Sequence, residues 1–209
     1  MILLLILAPL AVRAAETAIV DVCLRCHGSE GLAANPAAPD LANQRRPYLE
    51  KQIADFRRNA REPLIAHSNA GNFTGQRDHP DMYAFANLFE TETGSLIAAL
   101  SARACRQASP PPGHTVSRPL PRPALVERCF ACHGTQGART VNAYVPRLAG
   151  QSRTYLAAQL FAMRRAEYGG EGSTALTLRS HPIMNAIAVG LTTDEIRSLA
   201  DYLATLPCK

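Results

Sequence analysis

The pentapeptide Cys23-Leu24-Arg25-Cys26-His27 recurs as Cys129-Phe130-Ala131-Cys132-His133. On a helix, thiols three residues apart lie one turn apart on the same face, with the adjacent imidazole beside them. Cys-x-x-Cys-His is the attachment sequence of c-type haem: both thiols add to vinyl groups of one porphyrin, and the His is left under the ring for the iron. Six Cys and six His in 209 residues produce this pattern by chance in about one such chain in 200. Two copies therefore predict two covalently bound haem c groups, with Cys23, Cys26, Cys129 and Cys132 as attachment residues and His27 and His133 as iron ligands.

Two other chemistries use such cysteines. A thioredoxin-like redox pair belongs in a βαβ pattern, and nothing here alternates strand with helix. Zinc needs four ligands, which the two motifs together could supply. Each motif, however, has its own downstream Met, a soft ligand suited to haem iron and rare for zinc.

Residues 2–12, ILLLILAPLAV, are apolar and end in Val12-Arg13-Ala14. This reads as a secretory signal peptide spanning residues 1–14, cleaved after Ala14, too short to cross a bilayer. No Lys or Arg precedes the run, so either the start lies upstream or the terminal amine serves alone. Export places the chain in the periplasm, the oxidising compartment in which bacteria attach haem covalently. No later segment is apolar enough to span a membrane. The net charge is +5, and four haem propionates would cancel most of it, so the basic balance is no argument for nucleic acid.

Superposing the motifs reveals an internal repeat. Pro39-Asp40-Leu41-Ala42-Asn43-Gln44 matches Pro146-Arg147-Leu148-Ala149-Gly150-Gln151, Tyr48-Leu49 matches Tyr155-Leu156, and His79-Pro80-Asp81-Met82 matches His181-Pro182-Ile183-Met184. Residues 109–124, SPPPGHTVSRPLPRPA, form a Pro-rich linker that keeps the halves close without fixing their angle. The expected domains are 15–108 and 125–209. Apolar residues fall at helical spacing in both: Leu49, Ile53 and Phe56; Leu156, Leu160 and Met163; and Ile196, Leu199, Leu203 and Leu206. No convincing strand is visible, so the fold class is all-α. Each half is small enough that a buried porphyrin would supply much of its core.

The sixth iron position decides the chemistry, because a Met thioether closes the coordination sphere and makes an electron carrier rather than a catalyst. Met82 and Met184 are the candidates; Met163, on a helical stripe, reads as core. His79 and His181, three residues earlier, are rival ligands that would give bis-His haems. His67 and His114 have no counterpart and read as solvated. Gly28 and Gly134 would let the backbone pass close to the porphyrin. Arg57, Arg58, Arg164 and Arg165 read as a solvated face within reach of propionates.

The runs CHGSEGLAANPAAPDLANQRRPYLEKQIADFR, CHGTQGARTVNAYVPRLAGQSRTYLAAQLFAMR and HPIMNAIAVGLTTDEIRSLADYLATL resemble the dihaem cytochromes c of the c4 type. The resemblance implies two tandem class I cytochrome c domains, each wrapped around one haem and related by a pseudo-twofold axis, with His and Met on both irons. It implies that Pro39 and Pro146 offer carbonyls to His27 and His133. It also implies electron carriage in the periplasm, from a quinol-oxidising complex to a terminal oxidase, by a chain that is monomeric or weakly associating. The first half departs from the pattern after Arg61, and Cys105 and Cys208 are not features of the family.

Three functions follow from these residues: a free carrier between membrane respiratory complexes, a dihaem subunit accepting electrons from one periplasmic dehydrogenase, or a peroxidase-type enzyme with one exchangeable iron site. Cys105 and Cys208 end equivalent helices in an oxidising compartment. Either they pair with each other, or they bond a partner, or they stay as separate thiols.

Overall fold

The computed structural model describes residues 21–61, 76–77, 79–88, 93–105, 121–168 and 179–208; the expected signal peptide, His67, His114 and most of the linker lie outside them. Each half follows one plan. In the first, a helix over residues 21–27 (α1) runs into a loop, then α2 (Arg46–Arg61), α3 (Pro80–Leu88) and α4 (Thr93–Ser101). In the second, α5 (Val126–His133), α6 (Arg153–Tyr168), α7 (Pro182–Val189) and α8 (Thr193–Thr205) repeat the order.

The helical stripes face inward as the spacing predicts. Ile196, Leu199, Leu203 and Leu206 of the α8 stripe are 0%, 1%, 2% and 8% exposed, and the three leucines pack with Val126 and Leu156. A capping box starts α8: the Thr192 hydroxyl accepts from Glu195 N–H while the Glu195 carboxylate accepts from Thr192 N–H. Met163 is buried at 5%, a core residue as its spacing predicts. The corresponding cluster of the first half is smaller, with Tyr48, Leu49 and Ile97 buried and Leu41 and Ile53 against them.

Two features differ from the sequence reading. Strands β1 (Gln76–Arg77) and β2 (Arg179–Ser180), one from each half, pair antiparallel with Arg77 opposite Arg179. Two residues carry no periodicity, so no strand is legible there. The halves are also not held by the linker alone. Gln44 donates to Arg147 O (3.0 Å) and accepts from Arg147 N (2.9 Å); Gln151 donates to Asp40 O and accepts from Asp40 N, both at 2.9 Å. These four bonds are related by the repeat, and they fix the angle between the domains.

Beside them lies a disulfide, Cys105–Cys208, with Cα atoms 6.2 Å apart, inside the ~7 Å limit for bridging. Asn43 Nδ2 donates to Cys208 O at 2.7 Å and braces it. Alkylation of the denatured, unreduced protein should leave both cysteines unlabelled. Cys208→Ser should lower stability by as much as about 4.7 kcal/mol, the chain-entropy value for a loop near 100 residues. An unchanged denaturation midpoint would show that the bridge does not constrain the unfolded chain.

Candidate haem sites

Helices α1 and α5 carry the two pentapeptides at their C-terminal ends. None of the four cysteines is paired in a disulfide; Cys23 and Cys129 are half-buried, and Cys26 and Cys132 are exposed. Before haem is attached, burial holds the Cys23 and Cys129 thiols above their ordinary pKa. His27 and His133 are buried at 7% and 6% exposure.

Each helix ends at a glycine with left-handed backbone, Gly28 at φ +76° and Gly134 at φ +77°. A Cβ on Gly28 would stand 2.0 Å from Leu32 O, and one on Gly134 only 1.6 Å from Arg139 O. The sequence reading tied these glycines to the porphyrin. The structure supplies a nearer reason: the following loop folds back against them, so no side chain fits.

That loop returns a proline carbonyl to each imidazole. His27 Nδ1 lies 2.9 Å from Pro39 O, and His133 Nδ1 lies 2.7 Å from Pro146 O. A carbonyl can only accept, so Nδ1 carries the proton and the lone pair of the neutral ring sits on Nε2. Burial, the largest influence, holds both imidazoles below their ordinary pKa. The proline carbonyls oppose this, while Arg77 near His27 and Arg179 near His133 push further down. Each half thus offers a neutral imidazole of fixed tautomer, the form an iron ligand needs.

Met82 and Met184, both half-buried, occupy the first turns of α3 and α7. The rival histidines differ between halves. His181 caps α7, its Nδ1 accepting from Met184 N–H at 3.4 Å, while His181 N donates to Asn185 Oδ1 at 2.9 Å. In the first half Tyr83 stands where the repeat places Asn185. There His79 Nδ1 is buried and has no hydrogen-bond partner among the described residues.

Arg57 and Arg164 have another task than the solvated face expected of them. Arg57 donates to Ala86 O (2.6 Å) and Thr93 Oγ1 (2.9 Å), and Arg164 to Leu191 O (3.0 Å) and Thr193 Oγ1 (3.4 Å). Arg57 ties the Met-bearing α3 to α4, and Arg164 ties the turn after α7 to the start of α8. Sequence reasoning missed Arg77 and Arg179, although an Arg stands two residues before His-Pro in both halves. Among the described residues, no three His, Cys, Asp or Glu side chains are grouped to hold a metal ion by themselves. The donor set of each half, two thiols one helical turn apart beside an imidazole with a free Nε2, fits a porphyrin iron.

A helical domain built twice around this motif defines a c-type cytochrome. The Cytochrome c family profile matches residues 123–207. The chain is 30% identical over 187 residues to the thiosulfate dehydrogenase electron acceptor of Stutzerimonas stutzeri (strain A1501), covering 88% of this chain and 78% of that protein. It is 28% identical over 193 residues to cytochrome c4 of Pseudomonas aeruginosa, covering 92% and 88%. The crystal structure of reduced recombinant cytochrome c4 from Pseudomonas stutzeri superposes with a TM-score of 0.65 at 25% identity, covering 93% of this chain and 98% of that one. The chain belongs to the dihaem cytochromes c of the c4 type: two class I cytochrome c domains, two covalently bound haem c groups, and electron transfer as the function.

The left-handed glycines give a direct test. Gly134→Ala should cost at least about 1–3 kcal/mol from backbone strain alone, with the Arg139 carbonyl adding to it. A denaturation midpoint equal to that of the unaltered protein would contradict the close approach.

Proposed function

We propose that Cys23 and Cys26 hold the first haem and Cys129 and Cys132 the second, that His27 and His133 are the proximal ligands, and that Met82 and Met184 complete the two irons. Haem c so bound supplies a one-electron ferric/ferrous couple. The observation that carries the assignment is the pair of imidazoles whose Nδ1 is committed to a proline carbonyl, at 2.9 Å and 2.7 Å. The Arg57 tie supports the Met82 assignment, because it holds the Met-bearing α3 in place, and Arg164 fixes the turn that follows α7 in the equivalent position of the second half.

With both irons closed, the chain acts as a carrier rather than an enzyme. We place it in the periplasm, carrying electrons from a quinol-oxidising complex to a terminal oxidase. Among the described residues no helix is long and apolar enough to cross a membrane. One observation favours a second reading: a relative at 30% identity is named for accepting electrons from thiosulfate dehydrogenase. A dihaem acceptor dedicated to one periplasmic dehydrogenase would use the same residues. Purification from the native host separates the two, since a stoichiometric flavin- or quinone-bearing subunit would favour the acceptor.

Met184→Ala should open the second iron and leave the first unchanged, so that ferrous protein binds carbon monoxide at half its haems. The near-infrared sulfur-to-iron band of the ferric protein should fall by half. If it keeps full intensity, Met184 is not a ligand.

Residues 15–110 carry 10 basic and 11 acidic side chains, and residues 111–209 carry 11 and 6. The second half stays cationic even after two propionates, so it should steer an acidic redox partner to the second haem. Rates of electron exchange with such a partner should fall as salt rises, and rates indifferent to salt would count against this orientation.

A further inference from the structure

An open cleft of about 520 Å³ runs between the two halves beside the disulfide, lined by Arg45, Arg103, Arg139, Arg147, Asn43 and Cys105 together with alanines. It shares no residue with either pentapeptide or with the Met-bearing helices, and no Asp or Glu lines it. Arg45 and Arg103 come from the first half, Arg139 and Arg147 from the second. None has a basic counterpart in the repeat. Arg45 matches Ser152 and Arg147 matches Asp40. Arg103 N donates to Leu100 O as Leu206 N does to Leu203 O, and the Arg139 carbonyl packs over Gly134 as that of Leu32 does over Gly28. Four separate departures from the duplicated plan thus meet in one place.

Little answers this charge among the described residues. Arg103 donates to Ser29 O at 2.8 Å and pairs with Glu30, an exposed carboxylate outside the cleft lining. Arg45 Nε donates to Thr140 Oγ1 at 3.1 Å, and Arg147 donates to the carbonyl and side-chain oxygen of Asn43. Those acceptors are neutral. Arg147 Nε is buried with no hydrogen-bond partner among the described residues, and the exposed Arg139 makes no hydrogen bond or ion pair among them. Residues 106–120, which run on from Cys105, contain no Asp or Glu and bring no counter-charge. A recess lined by one sign of charge concentrates counter-ions, and a buried donor without an acceptor leaves its desolvation uncompensated.

We infer that this cleft binds a small multivalent oxyanion, a condensed phosphate or a polycarboxylate, spanning from Arg45 and Arg103 of the first half to Arg139 and Arg147 of the second. Guanidinium forks pair with phosphate and carboxylate oxygens alike, and the volume falls within the roughly 300–1,000 Å³ of small-ligand sites. A monovalent ion would leave most of the charge unanswered. A bound polyanion joins the halves at the same boundary as the crossed amides and the disulfide, and so stabilises the folded pair by mass action. The site is independent of which redox partner the haems serve.

The test is calorimetric titration of the oxidised holoprotein with inorganic pyrophosphate and, in a second arm, with citrate, at an ionic strength held constant by sodium chloride. One anion should bind per chain and raise the thermal midpoint; the tighter arm identifies the source as phosphate or carboxylate. Arg139→Gln removes an exposed side chain, so the haem spectrum should stay unchanged while affinity falls about tenfold or more, and Arg139→Lys should restore part of it. Arg197→Gln, which removes an exposed charge of α8 outside the cleft, should leave affinity unaltered. Absence of saturable binding in both arms, an Arg139→Gln protein that binds as the unaltered one does, or an equal loss in Arg197→Gln would each overturn the proposal.

Discussion

Two side-chain amides hold the molecule together, each bonding the main chain of the opposite half. Gln44 takes both backbone groups of Arg147, and Gln151 takes both of Asp40. A bond that uses only backbone on one side leaves the residue there free to change. It has changed, to Asp in one half and Arg in the other. The Asp40 carboxylate accepts from Ala33 N–H at 2.6 Å and closes its own loop, whereas Arg147 reaches across to the carbonyl and side-chain oxygen of Asn43. The symmetric skeleton thus carries unlike charges in its two halves. Each buried amide bond contributes about 0.5–1.5 kcal/mol net, and breaking one partner costs about 1–3 kcal/mol, because the other is left unsatisfied.

What the sequence made legible was periodic or covalent in origin. The Cys-x-x-Cys-His motifs, the duplicated domain and the central and terminal helices all appear in the residues, since a 3.6-residue stripe and a fixed spacing survive without tertiary knowledge. Met82 and Met184 were harder. Helices α3 and α7 are short, begin at a proline after His, and bury only part of their surface, so they read as loops. The interface was invisible for a different reason. Gln44, Gln151, Arg77 and Arg179 act as single residues on non-helical segments, where only their recurrence in both halves marks them. Cys105 and Cys208 could not be paired from spacing, because bridging depends on a Cα separation that only the packed halves determine.

The halves are not equal. Among the described residues the second has the larger buried cluster, around α8, and it has a capping box and the match to the family profile. The first has the smaller cluster, and its α4 buries Thr93, Ile97 and Leu100. Arg179 of the second half donates to the phenol of Tyr48, whose body is part of the first half's core. The first half's core thus continues into the interface.

This inequality explains the place of the disulfide. Cys105 follows α4, the end of the weaker half, and Cys208 follows α8, the end of the stronger one. A bond there fastens the less well-packed terminus to a buried anchor, since Cys208 is 4% exposed within the second half's cluster. It also sits against Asn43, next in sequence to Gln44, so the covalent link and the amide bonds restrain one patch of surface. A Pro-rich tether alone would leave the two haem domains to meet by diffusion within its reach. With the covalent link and the crossed amides on one patch, the separation of the two sites is set by packing rather than by the length of the tether.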